Sequence, residues 1–275
     1  MRQPNRRQRA LLLLLLLLTL AVLLAVTMAG ALLTQRAMET DFSRMNRSPS
    51  LSFLFGTDWM GRDMLARTLA GLSLSIRIGV LTALVSAVIA LFCGVAAALS
   101  RRADAVLSWC IDLFLGIPHI LLVMLISLAF GRGFLGVVAG VSLSHWPSLA
   151  RVIRGEVLSL RHAPYLLAAE KLGVPRGQIV RRHLLPHLLP QFLTGLILQF
   201  PHAILHEASV TFLGFGLSSE QPAIGVILSE SMQYLTTGRW WLALFPGLAL
   251  VGVVLLFAAL GEQVRRVLDP SSVHQ

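Results

Sequence analysis

Long apolar runs alternate with short polar segments along most of the chain. Each run is close to or above the length of about 20 residues that a helix needs to cross a bilayer. The runs are Ala10–Leu33, Ile78–Leu99, Ala105–Phe130, Phe134–Leu149, Phe192–Leu213 and Trp241–Leu260. The polar stretch Ser144–Pro147 interrupts the fourth run. Because no run shows the period-two alternation typical of strands, the pattern predicts an all-α protein with six transmembrane helices.

The composition also indicates a membrane protein. Hydrophobic residues make up 56% of the 275 residues and charged residues only 13%, with a mean hydropathy of +0.76. A soluble domain carries about 25% charged residues, and its core could not bury this much apolar surface. We therefore expect a polytopic protein for which the bilayer is the solvent. Cys93 and Cys110 both lie in apolar runs and imply no disulfide framework.

The first apolar run allows two interpretations. It follows a basic segment, and Ala29-Gly30-Ala31 resembles the cleavage site of a signal peptide. The apolar core of a signal peptide is about 7–15 residues long, whereas this run is long enough to span, which favours a retained helix. The chain then divides into 1–71 with the first helix and an outer loop, a transmembrane domain of five helices at 72–264, and a tail at 265–275.

The positive charge predicts the orientation of the helices. The net charge is +10, and all 23 basic residues are arginines except Lys171. In a soluble protein this balance would suggest nucleic acid, but in membrane loops it is typical of the cytoplasmic side. If the amino terminus lies in the cytoplasm, fifteen basic residues fall inside and eight outside. We therefore expect both termini in the cytoplasm and no nucleic-acid partner.

Neither the single lysine nor the two aspartates of the first outer loop indicates a catalytic or nucleotide-binding site. A phosphate-binding loop needs a Gly-Lys-Ser/Thr sequence, and the single lysine stands between Glu170 and Leu172. The chain therefore does not bind ATP in that way. Asp58 and Asp63 in the first outer loop could be ligands, but their positions favour turn and helix-capping roles.

The segment Tyr165–Pro186 (YLLAAEKLGVPRGQIVRRHLLP) is polar in an otherwise apolar chain. Pro164 suits the first turn of a helix that Gly173 would end, and Pro175 can begin a second short helix. The pattern predicts a basic helix-turn-helix on the cytoplasmic side. Its basic residues are Lys171, Arg176, Arg181 and Arg182. Two roles stay open, a docking surface for a soluble partner and a loop lying on anionic lipid.

Several separated motifs resemble one family of transporters. The pattern AAxxxG at Ala168, Ala169 and Gly173, followed by RRHLLP at 181–186, resembles the EAA loop of binding-protein-dependent ABC importer permeases. FGTDWMGRD at 55–63 and SVTFLGFGLSS at 209–219 resemble signatures of the dipeptide, oligopeptide and nickel branch. The family usually has an acidic residue where Leu167 stands, and often Pro-Pro and Trp-Gly where Ser219-Glu220 and Ile224-Gly225 stand.

The resemblance implies a type I importer permease of the bacterial inner membrane, with no catalytic residues. The loop at about 151–190 would carry the coupling helix that docks into a separate ATPase. The matching residues are Ala168, Ala169, Glu170, Gly173, Arg182, His183 and Pro186. The chain itself would bind no cofactor, since ATP and Mg²⁺ belong to the ATPase. The implied partners are a second homologous permease chain, two ATPase subunits and an extracytoplasmic binding protein.

Histidines in the apolar runs suggest what is carried. His202 and His206 lie four residues apart, on one face of the predicted fifth helix, at a spacing that suits a borderline divalent metal. Glu207 follows them, and His145 and His119 are further candidates in the fourth and third runs. Helix packing is the alternative role for such histidines. Because their positions resemble the nickel branch, we expect nickel or a metal–metallophore complex as cargo, with di- or oligopeptides as the alternative.

Two other classes of protein fit less well. HAILHE at 202–207 has its glutamate outside the histidine pair, whereas zinc proteases place it between the two histidines. A passive channel would have no use for a docking segment. We therefore expect a transport subunit and not an enzyme.

Overall fold

The computed structural model describes residues 6–161 and 163–268. Within these residues the regular structure is helical, apart from an isolated bridge between Thr57 and Asp63, which confirms the all-α prediction. The helices are α1 (Arg6–Leu32), α2 (Thr34–Met38), α3 (Met64–Leu99), α4 (Arg101–Gly116), α5 (His119–Ala129), α6 (Gly133–Leu160), α7 (Pro164–Lys171), α8 (Arg176–Ile179), α9 (Leu185–Phe212), α10 (Ile224–Leu235) and α11 (Trp241–Leu268). A π-helical turn, Val180–Leu184, leads directly into α9.

Four described segments are long and apolar enough to cross a membrane. Three of them lie in α1, α3 and α11, and the fourth, Gly177–Phe212, runs from α8 through the π-helical turn to the end of α9. The bent pair α4–α5 would make a fifth span. α6 is not in this group, although its 28 residues reach the required length. Its middle carries the polar stretch Ser144–Pro147. With α6 counted, the six spans that the sequence predicts are all present as helices.

Two spans differ in shape from the prediction. The third was expected to be continuous from Ala105 to Phe130, but its two halves, α4 and α5, meet at an angle of 104°. Ile117 is extended there, because a proline disfavours the helical conformation in the residue before it. By contrast, α6 continues through Pro147. Trp146 and Leu149 are buried in the core on either side of this proline, and this packing outweighs the local disruption.

α3 lies at the centre of the bundle and packs along α1, α6 and α9. Small buried residues, among them Ala83, Ala87, Ala90 and Gly94, line it. At Gly94 an added Cβ would lie 2.8 Å from the carbonyl oxygen of Ala150 in α6. Small residues of this kind let transmembrane helices approach closely, where packing rather than the hydrophobic effect holds them together.

The first apolar run forms α1, which packs against α3 and α11. Gly30 is the point of close approach, since a Cβ there would clash with the carbonyl oxygen of Leu69. The Ser73 hydroxyl of α3 also donates to the Thr27 carbonyl at 2.7 Å. Gly30 therefore has a packing role in the folded chain, besides its place in the sequence that resembles a cleavage site.

The bundle has two ends of different character. At one end, which we call the basic end, Arg161 at the end of α6 donates to the Ala98 carbonyl at the end of α3 at 2.8 Å. α7 and α8 lie at this end. At the other, the loop end, the indole of Trp241 donates to the Thr57 carbonyl at 3.4 Å. The segment 33–63 and α10 lie there.

Candidate functional site

Three histidines from three different helices meet inside the bundle. His119 begins α5 directly after the bend, His145 lies in the middle of α6, and His206 lies in α9. Six residues separate His206 from the end of α9 and twelve separate His145 from the start of α6, or about 9 and 18 Å along the helices. This imidazole cluster therefore lies within the span, nearer to the loop end.

The three rings are in mutual contact. The ring centroids are 4.5 Å apart for His119 and His145, 4.3 Å for His119 and His206, and 5.0 Å for His145 and His206. The rings meet edge to face, and one nitrogen from each ring can be chosen so that all three lie within 4.8 Å of one another. All three residues are partly buried. No other group of three or more His, Cys, Asp or Glu side chains in the described residues meets this distance criterion.

Backbone carbonyls orient two of the rings. His145 Nδ1 lies 2.8 Å from the Val141 carbonyl oxygen, and His206 Nδ1 lies 2.7 Å from the His202 carbonyl oxygen. A carbonyl only accepts, so each Nδ1 carries the proton and donates it. The Nε2 atoms of His145 and His119 are buried and have no hydrogen-bond partner among the described residues. The cluster thus presents free imidazole nitrogens to one another.

The structure groups the candidate residues differently from the sequence spacing. His206 joins His145 and His119, whereas the His202 side chain is exposed and outside the cluster. Glu207 is fully buried on another side of α9, where its carboxylate accepts from the Thr211 hydroxyl at 3.2 Å. The i,i+4 spacing could not reveal this arrangement, because the bend at 117–118 is what brings His119 to the other two rings.

A second polar group, which we call the ion-pair cluster, lies at the loop end. Asp58 Oδ2 accepts from Arg62 Nε at 2.6 Å and from Arg67 Nη1 at 2.7 Å. Arg67 Nη2 donates to Glu230 Oε2 at 3.0 Å. The other oxygen of Asp58 accepts from the backbone N–H groups of Met60 and Arg62, both at 2.9 Å. Asp58 is 0% exposed and Arg67 1%, so these charges join the loop to α3 and α10.

The capping interpretation of the outer loop is confirmed. Asp63 precedes α3, accepts from the N–H groups of Leu65 and Ala66, and pairs with Arg36 at 3.0 Å. Asp58 fixes a turn through its two backbone bonds. Sequence reasoning did not find Glu230, because it lies 163 residues from its partner Arg67 and no local pattern marks it.

The segment Pro164–Leu184 forms the expected pair of short helices, and we call it the α7–α8 knob. Gly173 ends α7 with a φ of +77°, and the Val174 N–H donates to the Ala169 carbonyl at 3.1 Å. This is the hydrogen bond of a Schellman motif. An added Cβ at Gly173 would meet nothing within 4 Å, so the backbone conformation alone calls for glycine.

The α7–α8 knob has one anchored side and one exposed side. Leu166 and Leu184 are buried in the core, with Ile179 and Val180 packed beside them. Tyr165, Leu167 and Leu172 are exposed, and Leu172 is the most open at 82%. Of the predicted coupling residues, Ala168, Gly173, Arg182 and Pro186 are exposed, and Ala169 and His183 are partly buried. Glu170 is part of α7, but its side chain lies outside the described part of the chain.

Comparisons with known proteins place these features in a family context. The model of a family described as binding-protein-dependent transport system inner membrane component matches residues 86–273. A protein of Brucella suis biovar 1 named as a peptide transport system permease is 36% identical over 251 residues, which cover 91% of this chain and 84% of the relative. The dipeptide transport system permease protein DppC of Bacillus subtilis is 31% identical over 229 residues, with 83% and 72% covered.

Two solved structures share the fold. A chain of the MetNI methionine ABC transporter in an inward-facing conformation aligns with a TM-score of 0.62 at 21% identity, over 75% of this chain and 98% of that one. A chain of an amino acid ABC transporter crystallised with histidines gives a TM-score of 0.58 at 18% identity, over 74% and 94%. At these identities the likeness concerns the fold alone.

Proposed function

Because the chain belongs to the binding-protein-dependent transport system inner membrane component family, we propose that the cargo it passes across the membrane is a di- or oligopeptide. The observation that carries this proposal is the identity of the relatives. The proteins of Brucella suis and Bacillus subtilis are named peptide and dipeptide permeases, and they align over 91% and 83% of this chain. Similarity over that length extends across most of this chain.

The family establishes the coarser part of the function. The chain is the permease subunit of an ABC importer, a multi-pass membrane protein with the type I fold. It is not an enzyme, since separate ATPase subunits hydrolyse ATP, and importers of this family also work with a binding protein. We infer the remaining assembly from the resemblance, with a second homologous permease chain and two ATPase subunits. The arginine distribution supports an orientation with both termini in the cytoplasm.

The α7–α8 knob is the proposed docking surface for the ATPase. Its anchored side ties it to the core that contains α3, α6 and α9, so it can move with the bundle as a rigid unit. Its exposed leucines, Leu167 and Leu172, are better suited to a protein cleft than to water. Leu167 occupies the place of the usual acidic residue, and an apolar contact would replace a polar one there.

Metal import is the second candidate function. The sequence pattern favoured nickel or a metal–metallophore complex, whereas the named relatives are peptide permeases. One observation keeps the metal candidate, namely the imidazole cluster of His119, His145 and His206. Neutral imidazole is a ligand for nickel, zinc and copper. The pair that the sequence proposed as metal ligands, His202 and His206, would contribute only His206 to this cluster.

Uptake measurements test the cargo. Two strains are compared, one with this gene and one from which it has been deleted, and both contain the cognate binding protein. Each strain is given radiolabelled dipeptides, longer peptides and nickel in separate assays. We expect peptide uptake to disappear with the gene and nickel uptake to remain. If nickel uptake disappears and peptide uptake remains, the second candidate is correct and the peptide proposal is wrong.

A companion strain without the ATPase gene provides the control. An importer permease moves nothing without its ATPase, so uptake should be lost to the same extent in that strain. Uptake that continues without the ATPase would contradict the docking role of the α7–α8 knob and indicate a passive pathway.

A further inference from the structure

We propose that His119, His145 and His206 form a binding site for one divalent transition-metal ion within the span. The site differs from the pair suggested by sequence spacing, because it takes one ligand from each of α5, α6 and α9. It does not require the metal to be cargo, so it can exist in a peptide importer as well as in a metal importer.

The distances suit a preassembled site. The candidate nitrogens lie within 4.8 Å of one another. Metal–nitrogen bonds of 2.0–2.1 Å in tetrahedral geometry would hold the nitrogens about 3.3 Å apart. Rotations of the imidazole rings by small amounts can close this gap, since the ring centroids are already 4.3–5.0 Å apart. The backbone need not move to bring in a distant ligand.

The protonation pattern also suits a metal. The carbonyls of Val141 and His202 fix the proton of their histidines on Nδ1, which leaves the lone pair on Nε2. Metal-binding histidines usually show this arrangement, with the second nitrogen donating to a carbonyl or carboxylate that orients the ring. In both cases the acceptor is the carbonyl of the residue four positions before the histidine in the same helix.

The unpaired nitrogens call for a partner of some kind. A buried polar atom without a partner costs about 1–3 kcal/mol, and Nε2 of His119 and of His145 are two such atoms, in rings whose centroids are 4.5 Å apart. No carboxylate among the described residues completes the group, and Glu207 lies outside it, with one oxygen accepting from Thr211. A proton shared with an acidic partner therefore cannot satisfy the rings, whereas a metal ion would satisfy all three at once.

The ligand set indicates how such an ion would bind. Three neutral imidazoles leave at least one coordination position open, unlike a closed structural zinc site. They also leave the double positive charge of the ion uncompensated, so an anionic ligand such as a carboxylate is favoured in the open position. Because the three ligands come from three helices, binding would stabilise the one arrangement of α5, α6 and α9 in which the rings meet.

The test is a titration with Co²⁺, whose visible absorption reports tetrahedral nitrogen coordination. The intact transporter is purified without a histidine tag, placed in nanodiscs without any cargo, and titrated. We expect one ion per copy of this chain. Single changes His119→Ala, His145→Ala and His206→Ala should each weaken binding at least about tenfold, the smallest loss typical even of groups that only orient a ligand. His→Asn variants at the same positions provide a second set that keeps a polar side chain.

His202→Ala is the matched control. It lies one turn from His206 on the same helix, and the change retains the carbonyl that orients the His206 ring. Binding should be unaltered in this variant. If the wild-type transporter binds no more Co²⁺, Ni²⁺ or Zn²⁺ than a variant in which His119, His145 and His206 are all changed to alanine, or if His202→Ala weakens binding as much as His206→Ala, the proposal is wrong. Because no cargo is used, neither result depends on the peptide proposal.

Discussion

The ion-pair cluster and the imidazole cluster are two polar groups inside one apolar bundle, and they differ in whether an opposite charge lies within the group. In the ion-pair cluster, Asp58 accepts four hydrogen bonds, two from arginine side chains and two from the backbone, although Arg62 Nη2 and Arg67 Nε are buried and have no hydrogen-bond partner among the described residues. In the imidazole cluster, two buried nitrogens likewise have no such partner, and no carboxylate joins the three rings. A buried nitrogen without a partner therefore does not by itself distinguish a structural polar group from a functional one, whereas the pairing of opposite charges is found in the ion-pair cluster alone.

The difference follows from what each group must do. Charges that are removed from water have to be paired, and a pair with one member missing leaves a costly buried charge. The ion-pair cluster meets this condition and fixes the loop 56–63 to α3 and α10. Neutral imidazoles carry a smaller penalty when they stay unpaired, so they can remain available to a ligand. Variants of the two clusters can test this contrast, because the unfolding temperature of each can be measured with and without added metal.

The largest effect is expected for Asp58→Ala. The change leaves Arg67, which is 1% exposed, and Arg62 without their shared carboxylate. Loss of one member of a buried ion pair typically costs about 3–5 kcal/mol. We expect a much lower unfolding temperature for the purified protein in detergent, and less protein in the membrane.

Asp41→Ala is the matched control for this variant. Asp41 lies in the same loop and pairs with Arg44, but its side chain is 37% exposed and that of Arg44 is 51% exposed. Its carboxylate also accepts from the Ser43 N–H at 3.0 Å, so its replacement should lower the unfolding temperature only slightly, through the loss of this cap. Equal destabilisation by the two changes would mean that burial of the Asp58 carboxylate has no special role, and the contrast between the two clusters would fail.

A smaller effect is expected for metal addition, and only at the imidazole cluster. A ligand present at 100 times its dissociation constant stabilises the folded state by about 2.7 kcal/mol. Ni²⁺ should therefore raise the unfolding temperature of the wild-type protein and of Asp58→Ala by similar amounts. It should not raise that of His145→Ala. A rise in His145→Ala that equals the wild-type rise would place the metal elsewhere.

Local signals in the sequence predicted much of the fold. Hydropathy located the apolar runs, all of which lie mainly in helices of the structure, and Pro164, Gly173 and Pro175 gave the α7–α8 knob its two helices and its turn. Asp63 was recognisable as a helix cap from its position alone. These features depend on residues within one or two turns of each other, so a single sequence contains the information.

The candidate site was only partly predictable. Gly116 and Pro118 were a readable signal for the bend between α4 and α5, although the apolar run suggested one straight helix. The meeting of His119 with His145 and His206 depends on how three helices pack, and periodicity along one helix does not report this. In the same way, the pairing of Arg67 with Glu230 depends on the position of α10 against α3.

The smallest effect on stability is expected for Gly173→Ala, which touches neither cluster. An L-residue in the left-handed region costs about 1–2 kcal/mol, and the φ of +77° at Gly173 requires that region. The expected result is a frayed end of α7 and reduced uptake through a weaker fit to the ATPase, with metal binding unaltered.

Gly177→Ala is the control, because its Cβ would also enter open space and its φ is not positive. If both variants transport at the wild-type rate, the turn at Gly173 is not needed for coupling. If Gly173→Ala also loses Co²⁺ binding, the α7–α8 knob and the imidazole cluster are linked, and the site cannot be treated as independent of the transport motion.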